Sequence, residues 1–318
     1  MKILYHLGYP RTGSTFLQKN IFPEHKDINL IGPKNYKNWN DVKITQNELN
    51  KIADNYTETG ILNEKNYLDF FDQRKLNVIS SEKYVSYLNL RNNFKDIKFF
   101  NKLLQNKHKD IEIYFLVVLR NQYDLIKSLY FHAYPIYSEA LGIKDFEKLI
   151  KCFNKNKESN REIFQFLLFA DSFNFYKLYN NLSTNFKNPK IKFLFYEDFK
   201  LNRENFISEF VEFLNLDKQY TKSLFSDEIV NKGVSNDKKI RFSSKLRYKL
   251  SENNLVRSIK NFIPRSIKNF ILKNTFSSIT ISKKENQEYQ KIIQDYYRES
   301  NEKFFKEAKI STRYNNLY

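Results

Sequence analysis

The chain has 318 residues, with 54 Lys and Arg against 36 Asp and Glu for a formal net charge of +18, and a single cysteine. That lone residue, Cys152, excludes an intrachain disulfide, fits a reducing compartment and is expected as buried packing rather than as a nucleophile. No run approaches the roughly 18 apolar residues that span a bilayer, and the length suffices for one substantial core without a second domain.

The first predicted element is a strand at 2–7, apolar nearly throughout, followed by the loop Gly8 to Thr15 and a predicted helix at 14–22. Strand, glycine-bounded loop and helix make a phosphate-binding arrangement. Backbone N–H groups at a helix start lack intrahelical partners and carry the positive end of the dipole. The Walker A spacing is met at Gly8, Gly13 and Thr15, but Ser14 stands where the lysine belongs. The positive charge sits inside the loop instead, as Arg11 after Pro10, and a planar guanidinium suits a two-point grip on phosphate. Pro10-Arg11-Thr12-Gly13-Ser14-Thr15 resembles the 5′-phosphosulfate loop of sulfotransferases, whose donor is 3′-phosphoadenosine 5′-phosphosulfate (PAPS). The resemblance implies that Arg11, Thr12, Gly13, Ser14 and Thr15 bind the donor, with Arg11 also catalytic and the hydroxyls of Ser14 and Thr15 stabilising the leaving phosphate.

A second strand is predicted at 76–80, ending in a polar corner at Ser80, Ser81 and Glu82. Glu82-Lys83 resembles the Glu-Lys pair of glycosaminoglycan sulfotransferases, which implies Glu82 as the base toward the acceptor hydroxyl. The plain alternative is a carboxylate capping the next helix or pairing with Lys83. After a helix at 94–106 come a strand at 112–119, then Arg120, then a helix at 122–137 that carries Ser128 and His132. An arginine at the carboxyl end of a parallel strand sits where open α/β sheets bind ligands. In the sulfotransferase pattern Arg120 and Ser128 hold the donor's 3′-phosphate, and His132, one turn on, is a second candidate base.

Helices are expected at 144–153, 161–181 and 203–214, around a strand at 190–195. That strand runs into Tyr196-Glu197-Asp198, which resembles the family's Tyr-Glu-Asp and implies Tyr196 near the adenine. Lys232-Gly233 resembles the late Lys-Gly loop over the 3′-phosphate, and a helix at 284–308 resembles the closing helix of bacterial members. Residues 32–75 and 133–185, where acceptor specificity is expected, match no named pattern.

Residues 238–275 hold eleven Lys or Arg against one acid, Glu252, and repeat RSIKNFI at 257–263 and 265–271. Such basic amphipathic helices lie in anionic membrane interfaces, or else pack an apolar stripe on the core with their lysines solvated. The four histidines show no metal-ligand spacing, and His6, alternating with Leu4 in a core strand, reads as a satisfied structural histidine.

Apolar strands alternating with helices predict one α/β domain over 1–318, a three-layer sandwich around a central parallel sheet of the P-loop nucleotide-binding type. The expected function is transfer of the sulfuryl group of PAPS to a hydroxyl, or an amine, of a saccharide or glycolipid acceptor, without metal. A P-loop kinase and a basic nucleic-acid-binding protein are the rival readings. Nucleic acid is not the expected partner. With the first strand starting within two residues of Met1, a cytoplasmic protein is expected, with the segment 238–275 as a candidate contact to the inner membrane.

Overall fold

The computed structural model describes residues 1–31, 71–81, 85, 94, 97–98, 101–102, 104–105, 110–132, 143, 145–154, 161–225, 239–241, 276–278, 281–314 and 318. By its contacts the chain, read above as one domain, divides into two compact units. The first holds Met1–Arg120, Asn174–Asn231 and Glu307–Lys309; the second holds Asn121–Phe173, Lys232–Lys306 and Ile310–Tyr318.

The first unit is built on five parallel strands: β1 (Lys2–Gly8), β2 (Ile28–Leu30), β3 (Leu76–Ser80), β4 (Glu112–Leu119) and β5 (Lys190–Phe195). Their order is β2-β3-β1-β4-β5, with His6 opposite Ser80 on one side of β1 and Leu116 on the other. β1 and β4 are buried along almost their whole length, as strands covered on both faces must be. After β1 the chain adds β2 at one edge of the sheet, comes back to β3 beside β1, and then crosses to β4 on the other side of β1. That reversal puts the loop after β1 at a topological switch point, where parallel sheets open a crevice at their carboxyl ends.

Helices cover both faces. On one, α1 (Ser14–Phe16) runs into a π-helical turn, Leu17–Ile21, closed by Phe22 N–H donating to Leu17 O at 2.9 Å. The sequence pattern predicts a regular helix here; the wider turn buries the neighbours Leu17 and Gln18 together. Phe16, Ile21, Phe22, Val78, Leu116, Leu194, Phe206 and Phe210 belong to one continuous apolar cluster on this face. The last two come from α7 (Arg203–Leu214), which follows α6 (Tyr196–Leu201) and precedes α8 (Lys218–Leu224). On the other face Tyr5 stacks with Phe115 at 5.5 Å and donates through its hydroxyl to Asn101 at 2.7 Å. Phe186, just past α5 (Phe175–Asn185), packs against Phe115 at 4.8 Å.

The second unit contains α2 (Gln122–His132), α3 (Phe146–Asn154), α4 (Arg161–Asp171), the antiparallel pair β6 (Lys239–Arg241) and β7 (Phe276–Ser278), and α9 (Lys283–Glu307). Tyr289, Ile293, Tyr297 and Asn301 form a buried stripe on α9 at four-residue spacing. Gln122 and Asn301 exchange two amide hydrogen bonds, at 2.9 and 3.0 Å, so both buried amides are paired. Cys152 is half-buried, not core, and its thiol donates to Lys148 O at 3.2 Å.

The predicted helix at 161–181 is two helices. Asn174 has an extended backbone, φ −81° and ψ 99°, and its side chain accepts from Lys177 N–H at 2.9 Å, starting α5 afresh. Of the basic segment 238–275, all but 239–241 lies outside the described residues. Among the described residues no helix is long and apolar enough to cross a membrane.

Removing the cap tests this reading of α5. Asn174→Ala should lower stability by about 1 kcal/mol and Asn174→Asp by far less, measured as urea unfolding midpoints; equal losses would show that the Asn174 side chain does not set the break.

Candidate active site

β1 ends on bare backbone. A Cβ at Gly8 would lie 1.9 Å from Ser14 Oγ and 3.2 Å from His6 Cε1, so α1 seats directly on the strand end. The intervening loop turns through two left-handed residues, exposed Arg11 at φ 74° and Gly13 at φ 86°. Glycine adopts that region freely. Arginine there is strained by roughly 1 kcal/mol or more and persists only where its surroundings fix it. They do so from inside: Thr12 Oγ1 donates to Tyr9 O at 2.6 Å, Ser14 Oγ donates to the same carbonyl at 3.2 Å, and the two hydroxyls are 3.2 Å apart. Left-handed turns of this kind gather backbone N–H groups into an anion-binding concavity.

Arg120 follows the end of β4, and the next residue, Asn121, caps α2 by accepting from Asp124 N–H at 3.2 Å. Its Nη1 donates to Arg11 O at 3.2 Å, and its guanidinium lies over the Tyr196 ring, 5.0 Å from the centroid. Tyr196 opens α6 directly from the end of β5 and stacks on Phe199 at 6.2 Å. A Cβ at Gly13 would meet Phe199 at 3.5 Å and Tyr196 at 3.7 Å. Arg11, Gly13, Arg120 and Tyr196, drawn from three strand ends, therefore form one cluster. Two guanidinium groups and an aromatic face beside a turn of this shape suit a ligand with two anionic ends and a planar ring.

Under the loop, His6 is fully buried, with Nδ1 2.7 Å from Ser80 Oγ, while Gln18 Nε2 donates to the same oxygen at 2.9 Å. His6 Nε2 has no partner among the described residues, so the expectation of a satisfied histidine is met at only one nitrogen. Burial penalises the charged ring and pushes its pKa down to about 3.

The sequence-derived site residues separate into three sets. Arg11, Thr12, Gly13, Ser14, Thr15, Arg120 and Tyr196 lie in the first unit at the carboxyl edge of the sheet, although the Ser14 hydroxyl is buried and turned toward Tyr9 O. It fills the space that the missing side chain of Gly8 leaves, and so acts as a loop clamp; half-buried Thr15 keeps the more open position. Ser128 is half-buried on α2, and His132 ends that helix, both in the second unit. Glu82, Lys83, Lys232 and Gly233 lie outside the described residues. Sequence reasoning missed Gln18 and Ser80 as partners of His6; the pointer was the serine one strand over in register, visible only once β1 and β3 are paired. Among the described residues no group of three or more His, Cys, Asp or Glu is placed to hold a metal ion.

A family model described as a sulfotransferase domain matches residues 5–300. Among solved structures the chain is similar to a sulfotransferase from Alicyclobacillus acidocaldarius, at 14% identity and a TM-score of 0.39 over 68% of this chain and 81% of that one. It is also similar to the sulfotransferase domain from the curacin biosynthetic pathway, at 15% identity and a TM-score of 0.38 over 73% and 81%. At those scores neither likeness bears on the chemistry, and the assignment rests on the family model. No curated protein matches the chain.

Burial of His6 has a pH consequence. Its folded pKa, about 3, lies below the ordinary 6.5, so between those values the unfolded chain binds the proton and stability falls as pH drops through that window. His6→Asn, which keeps a polar group near the Nδ1 position without titrating, should flatten the acid loss of the urea midpoint between pH 6.5 and 3 relative to wild type. His25, also depressed chiefly by burial, contributes equally to both curves. Parallel curves would show that His6 is not held neutral.

Proposed function

The chain belongs to the sulfotransferase family, and on that premise we propose that its donor is PAPS and its acceptor a hydroxyl, or an amine, of a carbohydrate-type molecule. One observation carries the donor reading: Arg120 bridges the loop and Tyr196, with Nη1 3.2 Å from Arg11 O and the guanidinium over the ring at 5.0 Å. A single position thus touches the parts expected to hold the 5′-phosphosulfate and the adenine.

PAPS, when bound, supplies an activated sulfuryl group on a phosphate leaving group. The backbone of the loop after β1 and the Arg11 guanidinium hold the 5′ end, where charge builds as the bridging bond opens. Preorganisation matters here, because in-line transfer asks the protein for position and electrostatics more than for covalent steps. Arg120 takes the 3′-phosphate, exchanging the Arg11 carbonyl for a charge-assisted pair. Tyr196 offers the adenine a ring face. Ser128 and Lys232-Gly233 are the remaining 3′-phosphate ligands on sequence grounds. Glu82, two residues past β3, is the proposed base and His132 its rival. A saccharide or glycolipid acceptor, a cytoplasmic setting and a peripheral contact of 238–275 with anionic lipid complete the reading, each supported by sequence alone.

Adenosine 3′,5′-bisphosphate should raise the melting temperature by several degrees at about 100 times its Kd, an added stability of roughly 2.7 kcal/mol. AMP should do so far less, and magnesium should not matter. Stabilisation by magnesium-ATP instead would favour a kinase. Arg120→Ala should weaken the bisphosphate on the order of 10-fold to 100-fold, as loss of a hydrogen bond to a charged group does; unchanged affinity would remove Arg120 from the 3′-phosphate. Glu82→Gln should lower turnover on the order of 100-fold or more with bisphosphate affinity intact, and a near wild-type rate would pass the role of base to another group.

A further inference from the structure

Three side chains meet beneath the loop after β1 without a part in the chemistry described so far: His6, Gln18 and Ser80. The His6 ring is uncharged at neutral pH and so carries a single N–H. If that proton sat on Nε2, it would have no acceptor among the described residues beyond the neighbouring Phe22 ring, whose centroid is 5.2 Å from that of the imidazole. An aromatic face is a poor substitute, and a buried N–H left without a true acceptor is rarer than a bare lone pair. With the proton on Nδ1, the ring donates to Ser80 Oγ at 2.7 Å, and Nε2 keeps only a lone pair.

The consequence falls on Ser80. Its oxygen then accepts from His6 and from Gln18 Nε2 at 2.9 Å, which occupies both of its lone pairs. Its own proton has to be donated elsewhere. Ser80 ends β3, is the one residue of that strand not fully buried, and pairs in register with His6 of β1 at the carboxyl edge of the sheet. The His6 ring is in turn packed under the start of the loop, its Cε1 3.2 Å from where Gly8 would carry Cβ.

We propose that Ser80 is a substrate contact, its hydroxyl donating to a sulfuryl oxygen of the donor held on the loop after β1, and that His6 and Gln18 are positioning residues that fix its direction. The inference rests on the PAPS reading above. It assigns to β3 a residue that distinguishes the sulfated donor from the bisphosphate product, since only the donor carries the oxygen that Ser80 meets.

Two measurements test it. The ¹⁵N shifts of the His6 ring in the wild-type chain, assigned by loss of the signal in His6→Asn, should show Nδ1 protonated and Nε2 bare; the opposite tautomer overturns the proposal without requiring any variant of Ser80 to fold. By calorimetry Ser80→Ala should bind PAPS at least about 10-fold more weakly, bind adenosine 3′,5′-bisphosphate as wild type does, and be largely rescued by Ser80→Thr. Equal weakening of both nucleotides makes Ser80 a structural residue and overturns the proposal, as does no weakening of either. A wild-type chain that binds neither nucleotide overturns the donor assignment itself, a failure distinct from that of Ser80.

Discussion

Ser14 reaches into the space where residue 8 has no side chain, and the carboxyl edge of the sheet is organised around that close approach. The van der Waals limit is strict: an added carbon would lie 1.9 Å from Ser14 Oγ, so the helix start would have to leave the strand. Seated there, Ser14 joins Thr12 on the Tyr9 carbonyl and locks the turn from within. The lock in turn sustains the left-handed backbone at Arg11, which carries the charged side chain outward and directs its carbonyl to Arg120. A hydroxyl where a Walker lysine would stand is thus an exchange of roles: Ser14 fixes shape, and Arg11 supplies charge.

Arg120 shows why that cluster wants arginine. Its planar, forked group donates to the Arg11 carbonyl and lies over the Tyr196 ring while keeping further N–H groups in fixed directions, which a freely rotating ammonium does not offer. Holding the guanidinium between these two partners restricts its rotamer freedom.

The elements legible in the sequence were those whose signal is long and one-sided. β3, β4 and β5 match their predicted ranges to the residue, because each is an apolar run bounded by polar residues. β2 escaped, since Ile28-Asn29-Leu30 is too short to show a period and owes its pairing to β3. The break between α4 and α5 was hidden because the apolar pattern continues across it, while a single asparagine side chain does the separating. At the candidate site, the glycine spacing and the two arginines stand in the sequence itself, since residue type and spacing need no pairing of strands to be seen. The inward turn of the Ser14 hydroxyl and the meeting of His6, Gln18 and Ser80 could not. Those depend on which strands lie side by side, and β1 and β3 are joined only across some seventy residues.

The π-helical turn at Leu17–Ile21 sets the phase of everything that follows it on that face. Closing a hydrogen-bonded ring over five residues in place of four takes up one residue without advancing the helix by its usual step. Shortening the segment by one would restore α-helical closure and rotate the downstream side chains by about 100° relative to those upstream. Gln18 would keep its place near β3 only if Ile21 and Phe22 gave up theirs in the apolar cluster, or the reverse. The turn therefore acts as a phase adjuster, reconciling a polar anchor with an apolar one on a helix too short to satisfy both by bending. Segment length there is a constraint as firm as residue identity.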